Sequence, residues 1–206
     1  MTCAIILAAG RSRRMGTQKL LLPFGGTTVI AHVVGQVLAS GVEEAYVVVG
    51  CDGRQIADEL SGRRVTIVTN PDHDSSMLDS VRCGLRALPQ GCESILVALG
   101  DQPGITSELV DDMLRAFAAT DRAILVPVHE GRRGHPLLFS AGYCEDVLTR
   151  YDEVGLRGLL RAHPDEVLEL PASSSAVLSD MDYPGDYREE LARHEANGAG
   201  RHAEED

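Results

Sequence analysis

The chain has 206 residues, which sets one domain as the expectation and leaves enough length to bury a sizeable core. Hydrophobic residues at 44% and charged residues at 24% are those of an ordinary soluble protein, and a net charge of −12 argues against the broad basic footprint of a general nucleic-acid binder. No run reaches the roughly 18 apolar residues of a spanning helix, and Met1–Leu7 lacks the basic start of a signal peptide, so a cytoplasmic protein without membrane partners is expected. Cys3, Cys51, Cys83, Cys92 and Cys144 are odd in number and form no C-x-x-C pair, against a disulfide framework or a zinc ribbon.

The elements alternate along the chain. A buried strand is predicted at Cys3–Leu7, then a helix at Thr28–Ala39, a strand at Ala45–Val49 and a helix at Arg54–Leu60. Strand Val65–Thr69, helix Met77–Leu88, strand Ser94–Leu99, helix Thr106–Ala118 and strand Ile124–Val128 follow. The strands are apolar throughout, not alternating, which points to an α/β fold with a Rossmann-like, mostly parallel sheet flanked by helices on both faces. The later part reads as a short strand at Leu137–Phe139, helices at Ala141–Thr149 and Gly155–Ala162, a strand at Val167–Leu170 and a last helix at Pro184–Glu195. Residues 1–195 are thus expected to form one domain, with the small, polar tail 196–206 disordered.

In such a sheet ligands bind beyond the carboxyl ends of the strands, so the loops there carry the function. The first, Leu7-Ala-Ala-Gly-Arg-Ser-Arg-Arg-Met-Gly16 followed by Lys19, combines small residues with cations; no acidic residue precedes Glu43. Small residues let backbone N–H groups approach a ligand, and Arg and Lys neutralise phosphate, so the loop reads as an anion site; a solvated basic turn is the alternative. It is neither a Walker A loop nor a G-x-G-x-x-G fingerprint. After the fourth strand comes Leu99-Gly-Asp101-Gln-Pro103, a carboxylate placed to hold Mg²⁺ beside phosphates. It can instead cap the next helix, although Thr106 and Ser107 are better placed for that.

The segment L-A-A-G-x-S-x-R-M-G-x-x-K-L-L-L-P resembles the signature of the molybdenum-cofactor nucleotidyltransferases, most of all the cytidylyltransferases, over roughly residues 3–187. The resemblance implies a nucleotide-diphospho-sugar transferase-like fold in which Leu7, Ala8, Ala9 and Gly10 lie along the nucleotide. Arg14 and Lys19 would contact phosphates, Lys19 would stabilise charge during transfer, and the D-x-P of Asp101 would bind metal. Asn70-Pro through Met77 and Ser80 resembles the family's base and ribose segment, with Ser76 in place of a usual glycine; the residues also suit a helix cap at Asp74, Ser75 or Ser76. His73 reads as an exposed loop histidine. Arg132-Arg133-Gly134-His135-Pro136 matches a G-H-P motif implied to face the acceptor, where Arg133, Gly134 and His135 would lie; Gly134 and Pro136 alone would also make a turn. Ser179-Asp180-Met-Asp182-Tyr-Pro184-Gly-Asp186 resembles D-I-D-T-P-x-D. Alternation puts Asp180 and Asp182 on one side of an extended segment, where either can join Asp101 at the metal or simply open a helix.

The expected reaction is CMP transfer from CTP to the terminal phosphate of molybdenum-molybdopterin, with Mg²⁺ as cofactor and a molybdoenzyme or its chaperone as a further partner. The alternatives are guanylyl transfer, whose enzymes tend to carry Gly at the position of Ala9, transfer to a sugar or polyol phosphate, and a non-catalytic cofactor-delivery protein.

Overall fold

The structure, a computed structural model, describes residues 1–10, 15–72 and 76–202, with side chains to 196. β1 (Thr2–Ala8) opens the chain and leads to a 3₁₀ turn at Lys19–Leu21. A small hairpin, β2 (Pro23–Phe24) and β3 (Thr27–Thr28), then turns through Gly25 and Gly26, whose φ values of 55° and 79° suit a tight hairpin turn. α1 (Val29–Ala39), β4 (Glu44–Val49), α2 (Arg54–Glu59), β5 (Thr66–Thr69), α3 (Met77–Ala87), β6 (Ser94–Leu99) and α4 (Ser107–Ala118) alternate as the periodicity predicts. The helices expected from Thr28 and Thr106 begin one residue later, because each threonine is the cap: Ala31 N–H donates to Thr28 Oγ1 and Leu109 N–H to Thr106 Oγ1, both at 3.3 Å. Ser76 caps α3 in a reciprocal capping box with Asp79.

β7 (Ile124–His129), β8 (Arg132–Arg133), β9 (Leu137–Ser140), α5 (Cys144–Thr149), α6 (Arg157–Ala162), β10 (Val167–Pro171) and α7 (Pro184–His202) complete the chain. The last helix continues beyond Glu195, where the pattern stops predicting it. The eight-stranded sheet has the order β10-β7-β9-β6-β1-β4-β5, with β8 paired to β7. β9 runs antiparallel between β6 and β7. Too few residues separate β7 from β9 for a parallel crossover, which takes a dozen or more, so β9 returns along its neighbour.

Each face of the sheet has its own core. Ala4, Ile6 and Ala8 of β1 join α1, α4 and α7, whereas Ile5 joins α3, α5 and α6. All six residues of β6 are buried, which is why the central strands read as unbroken apolar runs. Among the described residues no helix is long and apolar enough to cross a membrane.

Arg82 ties α3 to the α5–α6 connection. Its side chain, 11% exposed, donates to the Val147 and Arg150 carbonyls at 2.9 and 2.7 Å and to Asp152 at 2.6 Å. Arg82→Ala is expected to cost about 2–3 kcal/mol in denaturant unfolding, since half-buried carbonyls lose a charged donor; Arg82→Lys should recover only part, lacking the planar fork.

Candidate active site

Three segments distant in sequence meet at the carboxyl ends of β1 and β6. Leu20, 2% exposed, drives the 3₁₀ turn into the core and carries Lys19 with it, so the lysine is only 7% exposed. Its Nζ donates to Asp101 Oδ2 at 2.5 Å and to Asp182 Oδ1 at 3.2 Å, partners 82 and 163 residues away. Burial alone would push the ammonium towards neutrality, but the two carboxylates outweigh it and raise its pKa above the ordinary lysine value. The site therefore holds a charged, desolvated ammonium at neutral pH.

Local sequence explains how each carboxylate arrives. Gly100 N–H continues the ladder to the Leu7 carbonyl at 2.9 Å, and a Cβ at Gly100 would lie 2.8 Å from that oxygen, so only glycine lets β6 follow β1 to its end. Asp101 comes next, at the start of the turn. On the other side Met181 is fully buried and its N–H donates to the Asp101 carbonyl at 3.2 Å. Asp186 Oδ2 accepts from the N–H groups of Asp182 and Tyr183 at 2.9 and 2.7 Å, holding the turn into α7.

These groups line a cavity of about 310 Å³ with Leu7, Ala9, Gly10, Met77, Ser80 and Asp180. Asp180 is exposed at this cavity, while Asp182 reaches Lys19. Asn70, 2% exposed, donates from Nδ2 to Ser80 Oγ at 3.2 Å and so braces the start of α3 from behind. A second cavity of about 280 Å³ shares Ala9 and Gly10 and adds Ala8, Gln18, Asp72 and residues 50–53. Sequence reading missed this 50–53 loop, although Gly-Cys-Asp-Gly after an apolar strand is a turn signal at the functional end of a sheet. Arg14 and His73 lie outside the described residues.

The G-H-P segment divides. His135 N–H donates to the Val177 carbonyl at 2.8 Å, and its peptide bond to Pro136 is cis. The ring is pushed below the usual histidine pKa by burial, which with Arg157 outweighs the opposing charges of Asp101 and Asp180, so it is neutral at pH 7. Its Nδ1 is buried without a hydrogen-bond partner among the described residues, a group suited to a ligand. Arg133, by contrast, is not brought to the cavity: its Nε holds Glu169 of β10 at 2.7 Å in an exposed pair. β8 and β10 each pair with β7, so the two exposed side chains meet across that strand. Gly134 is set by packing, since a Cβ there would lie 2.1 Å from the Val177 carbonyl oxygen. Gly134→Ala is expected to cost about 2–3 kcal/mol, read as a fall in Tm, by forcing apart two backbone segments.

Among the described residues no group of three or more His, Cys, Asp or Glu side chains gathers to hold a metal. Two carboxylates converging on one cation, 19% and 42% exposed, instead fit a hard divalent ion that takes its other ligands from phosphate and water.

A lysine between two carboxylates at the strand ends of a mixed α/β sheet, beside a small-residue loop, defines a nucleotide-handling domain of the nucleotidyltransferase fold. The chain belongs to the family described as MobA-like NTP transferase domain, which matches residues 4–167. It is 26% identical to the molybdenum cofactor cytidylyltransferase of Escherichia coli, over 89% of this chain and 92% of that one. It is 30% identical to the nicotine blue oxidoreductase of Paenarthrobacter nicotinovorans, over 86% and 90%, and 29% identical to a probable molybdenum cofactor guanylyltransferase of Mycobacterium ulcerans, over 88% and 89%. A solved nucleotidyl transferase from Methanothermobacter superposes with a TM-score of 0.84 at 28% identity, covering 96% of this chain and 99% of that one.

Proposed function

We propose that the chain transfers CMP from CTP to the terminal phosphate of a molybdenum-bearing pterin, releasing pyrophosphate. The observation that carries this is the convergence of Lys19, Asp101 and Asp182 on one cavity beside Ala9 and Gly10. The base would sit in the neighbouring cavity by residues 50–53 and the phosphates would cross Gly10 towards Lys19. Ala9 lines both cavities, so its methyl stands where base and phosphate halves join, which favours the smaller pyrimidine.

Lys19 neutralises charge that develops on the phosphates, and it does so without reorganising, because it is already charged and held. Asp101 and Asp182, with Asp180 at the rim, would hold Mg²⁺, which when bound supplies Lewis-acid polarisation of the α-phosphate. The acceptor phosphate has a second pKa near about 6, so it attacks without a strong general base, and neutral His135 orients it instead of deprotonating it. Arg14 would add a second cation over the triphosphate. Delivery of the product to a molybdoenzyme is a partner role consistent with the cavity's open side.

The test is pyrophosphate release by purified protein with Mg²⁺, a molybdopterin-type acceptor and each triphosphate in turn. Release with CTP alone supports the reading. Release with GTP keeps the mechanism and overturns the base. No release with any triphosphate, despite tight nucleotide binding, assigns the chain to another acceptor or to the delivery of a cofactor.

A further inference from the structure

Asp182, held by buried Met181 and by Asp186, stands two residues before α7, which is docked on the body. The far end of that docking is a cluster of rings, outside the site described above. His194 of α7 packs on Phe24 of the hairpin at a centroid distance of 4.7 Å and on His32 of α1 at 5.0 Å; Phe24 and His32 are 4.9 Å apart. Gly25 leaves the room, since a Cβ there would lie 2.4 Å from His194 Nε2. His32 and His194 line one cavity with Pro103, in the turn that begins with Asp101. The contact between the two histidines therefore lies between the Asp101 turn and the helix that follows Asp182. The cluster borders a cavity of about 350 Å³ between α1, the start of α4 and α7.

We propose that His194 is a positioning residue for Asp182, acting through α7 and its contact with His32, and that this contact makes binding of a divalent cation sensitive to acid. The inference rests on the reading of Asp101 and Asp182 as metal carboxylates.

The two half-buried rings lie 5.0 Å apart, so a proton on His32 would sit in a poorly solvated cluster. Burial, then the charge of His194, hold His32 below the ordinary histidine value, against a smaller opposing effect of the Pro103 backbone. The other charged groups on this cavity are Glu108 of α4 and Glu190 and Arg193 of α7. Arg193 is paired with Glu190 at 2.6 Å and Glu189 at 3.6 Å, so the nearest carboxylate of α7 is already engaged. A histidine whose folded pKa is depressed contributes docking stability above its unfolded value, about 6.5, and loses it as pH falls below that. The docked arm is thus expected to loosen as pH falls below about 6.5.

The experiment measures Mn²⁺ binding to the whole chain by water-proton relaxation from pH 7.5 to 5.5, together with amide exchange of the segment around Asp182 and α7. For the unaltered protein, affinity is expected to fall about tenfold over that range, with exchange in α7 rising in step. His32→Phe keeps a packed ring that cannot be protonated and should flatten both responses to about threefold or less. His194→Phe should shrink them by removing the neighbouring charge that adds to burial at His32. His194→Ala should bind Mn²⁺ about fivefold more weakly already at pH 7.5. The proposal is overturned if either Phe variant keeps the full acid response, or if His194→Ala binds as the unaltered protein does. Asp182→Asn separates the two readings. If it leaves affinity unchanged, the metal role of Asp182 fails and the link to His194 fails with it. If it abolishes binding while the Phe variants change nothing, only the histidine link fails.

Discussion

Asp101→Ala is expected to lower kcat/KM for nucleotidyl transfer by about a thousandfold or more, because one change removes a proposed metal carboxylate and loosens the lysine proposed to neutralise the phosphates. Asp101→Asn should be nearly as damaging: the amide keeps the volume but neither charge. The fold should survive. Lys19 retains Asp182, which is 42% exposed, so the stability cost is about 1–2 kcal/mol, well short of a fully buried ammonium left alone. Steady-state pyrophosphate release beside urea unfolding reads both quantities. An Asp101→Ala enzyme within tenfold of the unaltered rate would remove the central carboxylate from the mechanism.

Lys19→Met should cost a further large factor, about 10²–10³ in kcat, the scale for losing one preorganised charge donor. Its stability signature is more diagnostic. The lysine pKa is raised in the folded state, so its contribution is fully present below the unfolded value of about 10.5 and is lost only as pH rises through the higher folded value. Without it, Asp101 and Asp182 face each other with no cation between them, and a divalent ion can take that place. Millimolar Mg²⁺ is therefore expected to raise the Tm of Lys19→Met by several degrees more than that of the unaltered protein, by simple linkage. Equal shifts in the two proteins would show that the carboxylates do not form a common cation site.

Much of this was readable along the chain because it depends on local pattern. Ile95–Leu99 is buried on both faces, and such a strand leaves an unbroken apolar run whatever its neighbours are. A glycine before Asp101 marks a strand end that a neighbour approaches closely. The choice between Asp180 and Asp182 was not readable. Both alternate to the same side, and Asp182 is the one that meets Lys19 because Met181 is buried and Asp186 holds the turn. Arg133 likewise looked like an anion ligand beside Gly134 and His135, but strand pairing set Glu169 next to it.

The amino-acid sequence by itself determined the α/β alternation, the caps of α1 and α4 and Asp101 at the end of a buried strand, since each rests on residues within a few positions of one another. Tertiary structure alone decided the antiparallel return of β9, the closing of Lys19 on carboxylates 82 and 163 residues away, and the meeting of His32 with His194. Those depend on strand order and helix docking, where the free energy lies in burying two distant surfaces together and no local pattern records which surfaces they are.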